Sequence, residues 1–370
     1  MRHLYLHVPF CVRRCSYCDF SIAVRRRIPA REYVDAIRRE LALVQPGADS
    51  LETVYLGGGT PSLLPADAVT TLLKDVFSLT HSLRTVSRYA VEVTLEANPE
   101  DVTPANAAAW ARAGINRVSL GAQSFDDAVL RWMHRSHDAA RIGEAVRTLR
   151  AAGIENLSLD LIFGLPAELR RDWARDLERA LALLPPHLSL YGLTVEPRTP
   201  LARWVSRGAT APPSDERYAE EYLVAHERLG RAGYRFYEVS NAARDDRRSR
   251  HNAAYWSGDP YLGLGPAAHS FDGRARRWNV AAWEAYRRRL AAGRAPVESE
   301  ERLTAEQREL ERLYLSLRTV EGLEQAACPP DRLTAWAGHG WVESGGGRVV
   351  CTPEGWLRLD ALLADLTAAC

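Results

Sequence analysis

The chain has 370 residues, 46% of them hydrophobic and 26% charged, with 48 basic side chains against 47 acidic ones. That length and apolar content support one large domain, or a large and a small one, around a real core, and exclude a disordered or fibrous chain. The balanced charge argues against a nucleic-acid partner; Lys74 is the only lysine, and the other 47 basic residues are arginines, whose guanidinium groups suit carboxylate ligands.

The first ten residues, MRHLYLHVPF, carry neither the apolar core nor the small-residue cleavage site of a secretory signal. No uninterrupted apolar run reaches the roughly 18 residues of a membrane span. A cytoplasmic protein without a transmembrane segment is expected, with peripheral membrane contact left open. Leu4–Val8 is predicted as a strand, followed by a cysteine-rich loop and a helix over Arg31–Val44. Further strands are expected at Thr53–Leu56, Val91–Leu95, Arg117–Leu120, Leu157–Phe163 and Leu188–Leu193. Helices are expected between them at Pro65–Leu79, Pro104–Ala113, Asp138–Ala152 and Arg171–Leu184, with Gly114 and Gly153 as stop signals.

Repeated strand–helix–strand units mean a parallel sheet with helices outside it. In Leu157–Phe163 the leucines alternate with Ser158 and Asp160, and Val91–Glu96 alternates in the same way. Strands buried on both faces of an open sheet are normally apolar throughout, so one polar face points to a barrel with a polar lumen. Glu96, Gln123 and Asp160 then fall near the C-terminal mouth, where such barrels keep their chemistry. Beyond Phe271 the pattern changes, and the domains are read as a barrel over residues 1–275 and a smaller one over 276–370. Helices are predicted at Trp278–Ala292, Thr304–Leu317, Leu323–Ala327 and Pro330–His339. A hairpin region over Trp341–Leu357 and a last helix to about Leu366 complete a winged-helix-like module. Its few basic residues, Arg332 and Arg348, face Asp331 and Glu343, so packing or partner binding is favoured over DNA binding.

Cys11, Cys15 and Cys18 crowd into eight residues, while Cys328, Cys351 and Cys370 are scattered. Three thiolates on one loop suit an iron–sulfur cubane with one iron left open to a small chelating ligand. The competing arrangement is a zinc site completed by His7 or His3. The Gly57–Gly58–Gly59–Thr60–Pro61 turn after the second strand allows close backbone approach to a ligand, or is simply a tight connection. Glu96, Gln123, Arg135 and Asp160 are either ligand contacts or capping and ion-pair groups.

The run LYLHVPFCVRRCSYCDF resembles the C-x3-C-x2-C loop of the radical S-adenosylmethionine superfamily, with Tyr17 as the aromatic before the third cysteine. The resemblance implies a partial (β/α)6 barrel of TIM type and a [4Fe–4S] cluster on Cys11, Cys15 and Cys18. It also implies an S-adenosylmethionine site built from Tyr5, Tyr17, Gly58, Gly59, Thr60, Glu96, Gln123, Arg135 and Asp160. Within the superfamily the sequence is similar to the branch of oxygen-independent coproporphyrinogen III oxidases. That enzyme has a fourth cysteine where Phe20 stands here, and an extension ahead of the barrel. The His251–Asn252–Ala253–Ala254–Tyr255–Trp256 motif instead resembles the HemW-type haem chaperones of the branch. That resemblance implies haem as a ligand touching His251, transfer to an acceptor protein, and an electron donor such as flavodoxin or ferredoxin. A decarboxylating oxidase acting on porphyrinogen propionates is the alternative.

Overall fold

The computed structural model describes residues 2–45, 51–79 and 91–367. Six strands run parallel in chain order: β1 (His3–Val8), β2 (Thr53–Gly58), β3 (Glu92–Ala97), β4 (Arg117–Gln123), β5 (Asn156–Phe163) and β6 (His187–Gly192). Beyond β6 the sheet continues antiparallel through β7 (Arg235–Glu238) and β8 (Asn241–Ala243), with β8 against β6. On the other side β9 (Tyr261–Leu264) pairs in parallel with β1. It is followed by the antiparallel strands β10 (His269–Phe271), β11 (Ala275–Asn279) and β12 (Val297–Arg302). The order across the twelve strands is β12-β11-β10-β9-β1-β2-β3-β4-β5-β6-β8-β7. Among the described residues the outermost strands β12 and β7 do not pair, so the barrel is partial.

The helices between the parallel strands follow the predicted ones closely: Ala30–Val44, Ala66–Leu79, Pro104–Ala113, Ala139–Ala151 and Trp173–Ala182. Three of them begin at side-chain caps, where Thr103, Asp138 and Asp172 accept the N–H groups of Asn106, Arg141 and Arg175. The helix ending at Ala113 stops at Gly114, whose φ of 105° suits a residue without a β-carbon. Leu157, Leu159 and Leu161 are fully buried toward the helices. Ser158 and Asp160 turn to the opposite face, where Asp160 accepts from Ser119 Oγ (2.9 Å) and Ser158 Oγ (3.1 Å). The polar lumen expected from the alternation is therefore present. Among the described residues no helix is long and apolar enough to cross a membrane.

Three predictions in the last third need correcting. Trp278 and Asn279, expected to begin a helix, instead end β11, and the helix begins only at Trp283. Ladders to both β10 and β12 satisfy the backbone there, outweighing the local helical pattern. Leu323–Ala327 is a two-residue strand and one 3-10 turn, following Gly322 at a φ of 63°. Gly355 lies in a short helix, Pro353–Trp356, capped by Thr352. The main sheet itself runs past residue 275 to Arg302. After it come helix Ala305–Ser316, strand Leu323–Glu324, helix Pro330–Gly338 and the hairpin Val342–Gly345 with Arg348–Cys351, a winged-helix-like order. Cys328 and Cys351 are buried in this module, and Cys370 lies outside the described residues.

Candidate functional site

The cysteine loop leaves the C-terminal end of β1 and is fastened at several points. Phe10–Cys11 pairs with Ala23–Val24, Arg25 N–H donates to Cys11 O (2.8 Å), and Ser16 N–H donates to Met133 O (3.1 Å). Cys11, Cys15, Tyr17 and Cys18 line one cavity of about 440 Å3, within the range of about 300–1,000 Å3 typical of small-molecule sites. Cys11 Sγ is 3.3 Å from Thr60 Oγ1, and Arg135 Nη1 donates to Cys15 Sγ at 3.6 Å. Burial raises the Cys11 thiol and pushes the Cys18 thiol up to about 11. Among the described residues no group of three or more His, Cys, Asp or Glu side chains is arranged to hold a metal ion. His7, a candidate zinc ligand, is within hydrogen-bond distance of Tyr5 Oη (3.1 Å) and Ser21 O (3.0 Å). The other, His3, has Nδ1 3.0 Å from Thr53 Oγ1, and neither histidine lines this cavity.

The glycine turn lines the same cavity and packs directly against the start of the loop. Gly58 has a φ of 112°, and a β-carbon there would stand 2.6 Å from the His7 ring. One on Gly59 would stand 2.8 Å from the Pro9 backbone. Only glycine lets the two segments approach this closely. Gly58 N–H and Tyr55 Oη both donate to Glu96, each at 2.9 Å. Burial pushes the Glu96 carboxyl up to about 7, with those two bonds holding it down.

Arg135 is the cationic centre of the site. Its Nη2 donates to Asn98 Oδ1 (2.5 Å) and Gly121 O (2.9 Å), while its buried Nε has no hydrogen-bond partner among the described residues. Burial opposes its charge, but Tyr17, Cys15 and Glu100 together hold it above the ordinary arginine value. Gln123 reaches the cavity through an irregular end of β4, where the register to β5 shifts and its own φ is 66°. Asp160 reaches it from β5, its carboxyl raised by burial and held down by the serines around it.

Gly58, Gly59, Thr60, Glu96, Gln123, Arg135 and Asp160 thus converge with the three cysteines and Tyr17. Tyr5 stands one layer behind, stacked on Tyr55 at 6.1 Å. His251 does not line this cavity but lies behind it, stacked on Tyr55 (5.0 Å) and Tyr5 (6.4 Å) near the N-terminal ends of β2 and β3, with Nδ1 2.7 Å from Thr53 Oγ1 and Nε2 3.0 Å from Tyr255 Oη. It is 1% exposed, and burial lowers its pKa to about 3. Tyr55 and Asn98 were not singled out from sequence, although Tyr55 has the lumen parity of its strand. Also unforeseen is a second cavity of about 840 Å3, walled by Tyr255, Trp256, Tyr261 and Phe271 and rich in arginine.

Residues 5–180 match the family model of the Radical SAM superfamily. The Heme chaperone HemW of Mycobacterium tuberculosis is 39% identical over 98% of this chain and 94% of its own length. The Heme chaperone HemW of Bacillus subtilis is 32% identical over 88% and 85%. The solved structure of coproporphyrinogen III oxidase (HemN) from Escherichia coli superposes over 100% of this chain and 91% of that one. Its TM-score is 0.82 at 22% identity, a likeness of fold. Sheet and loop therefore define a radical SAM partial barrel of the HemN shape. Within that superfamily the chain belongs to the HemW family.

Proposed function

We propose that this protein is a cytoplasmic haem chaperone: it binds haem, carries a [4Fe–4S] cluster with S-adenosylmethionine, and hands the haem to an acceptor protein. The observation that carries this is the 39% identity, over 98% of the chain, to a protein named a heme chaperone. In this reading Cys11, Cys15 and Cys18 are the cluster ligands, and three thiols lining one cavity have the chemistry of that donor set. Bound there, the cluster would supply one electron to the sulfonium of S-adenosylmethionine. The residues around it have separable tasks. Arg135 offers its unpartnered Nε to the methionine carboxylate, and Gly58, Gly59 and Thr60 leave room for that end of the molecule. Glu96 accepts from the amine or a ribose hydroxyl, and Gln123 and Asp160 take the remaining polar atoms. Tyr17 covers the cavity, while Tyr5 positions His7 and Tyr55.

The arginine-rich second cavity is the haem site in this reading. His251 contributes by holding Tyr255 on its wall, because both imidazole nitrogens are already engaged. A small acidic carrier such as flavodoxin or ferredoxin would reduce the cluster. The alternative is a coproporphyrinogen oxidase, and anaerobic turnover separates the two. Reconstituted protein given coproporphyrinogen III, S-adenosylmethionine and a reductant is expected to yield no protoporphyrinogen IX. Accumulation of that product would replace the chaperone by the oxidase.

A further inference from the structure

Antiparallel pairing fixes which side chains share a face. His269 of β10 lies opposite Trp278 of β11, Phe271 opposite Arg276, and Tyr261 of β9 opposite Phe271. Opposed residues project to the same side, and so do residues two apart, which puts Tyr261, His269, Phe271, Arg276 and Trp278 on one face. The ring contacts agree. His269 stacks on Trp278 (5.8 Å, 23°), the Arg276 guanidinium lies 5.3 Å over Phe271, and Tyr261 meets both Phe271 and Tyr255. Tyr261, Phe271 and Arg276 form one wall of the 840 Å3 cavity, and Arg308 and Arg312 enter from helix Ala305–Ser316 across it. Arg308 has no ion pair among the described residues.

His269 differs from the histidine of the sequence motif. It is exposed, and neither ring nitrogen has a hydrogen-bond partner among the described residues, whereas His251 is buried with both nitrogens engaged. Its backbone is held firmly. Gly263 lies so close that a β-carbon there would stand 2.0 Å from His269 O, and Gly263 N–H donates to Ser270 Oγ at 3.0 Å. An available imidazole on a fixed strand, beside aromatic faces and arginines, matches the three chemical parts of haem: iron, macrocycle and two propionates.

We propose that His269 is the axial ligand to the iron of bound haem, with the propionates directed to the arginines of the adjoining cavity. This rests on the haem-carrying function proposed above. Partial desolvation of its ring by the neighbouring side chains, then the nearby Arg276, lowers the His269 pKa, which favours the neutral, ligating form near neutral pH.

Haemin titration of the full-length protein tests the assignment, with Soret position and ferric electron paramagnetic resonance as readouts. The His269→Ala variant, an exposed substitution whose fold is checked by circular dichroism, is expected to lose the imidazole-ligated spectrum. Its haem affinity should fall about tenfold or more, and added imidazole should restore the spectrum. Unchanged spectrum and affinity in His269→Ala, or the same loss in His3→Ala instead, would overturn the His269 assignment while leaving haem binding intact. Failure of the wild-type chain to take up haem at all would remove the function and this ligand together.

Discussion

Replacing Cys15 by alanine is expected to abolish cluster assembly. After anaerobic reconstitution, iron and sulfide should fall from about four of each per chain to background, and the broad absorbance near about 400 nm should disappear. Cys15 is the middle thiol of the loop and receives Arg135 Nη1, so its loss removes one of the three proposed ligands and a sulfur partner of the buried guanidinium together. The loop backbone is fixed independently of this side chain, through Ser16 to Met133 and Leu201 and through the Phe10–Cys11 ladder. Far-ultraviolet circular dichroism should therefore be unchanged. Iron content equal to wild type would mean that the loop does not hold the cluster. Zinc at one equivalent per wild-type chain would favour the competing metal.

Gly58→Ala should damage both stability and S-adenosylmethionine binding. A non-glycine residue held at a φ of 112° costs about 1–3 kcal/mol in backbone strain. The new β-carbon would also meet the His7 ring at 2.6 Å. That ring cannot swing aside freely, because its nitrogens are engaged by Tyr5 Oη and Ser21 O. The substitution should displace the Gly58 N–H bond to Glu96 and lower Tm by several degrees. Calorimetric affinity for S-adenosylmethionine should fall by more than about tenfold, the equivalent of about 1.4 kcal/mol. Gly153→Ala is the control. Its φ is 84° but nothing lies within 4 Å of the added carbon, so it carries the strain without touching the cavity. Equal binding losses in both variants would mean that the glycine turn acts only through global stability.

The six parallel strands and their helices were legible because each carries its own signal: period-two alternation in Leu157–Phe163, caps at Thr103 and Asp138, a stop at Gly114. The cavity residues were legible for a related reason. In a parallel barrel the C-terminal ends of successive strands meet, so Glu96, Gln123 and Asp160 converge without any long-range inference, while Cys11 and Gly58 were joined to them by the family resemblance. The edge strands were not legible in the same way. Arg276–Arg277–Trp278 gains its extended form from ladders to residues 269–271 and 299–301, a long-range contribution that local pattern does not report. For the same reason the second cavity escaped notice, since its walls come from helix Arg250–Trp256, strands β9 to β11 and helix Ala305–Ser316. The motif histidine drew attention by its resemblance to a family motif, yet Thr53 and Tyr255 engage both its nitrogens, which the motif cannot reveal.

Haem carriage itself is tested most directly by loading and transfer. The reconstituted protein, with cluster and S-adenosylmethionine, is incubated with haem, passed through gel filtration, and mixed with the apo-form of a haem enzyme whose activity reports its loading. Haem co-eluting one-to-one with the chain and then activating the apo-enzyme is the expected result. A chain that emerges without a Soret band, or that retains haem and never releases it to the acceptor, contradicts a chaperone.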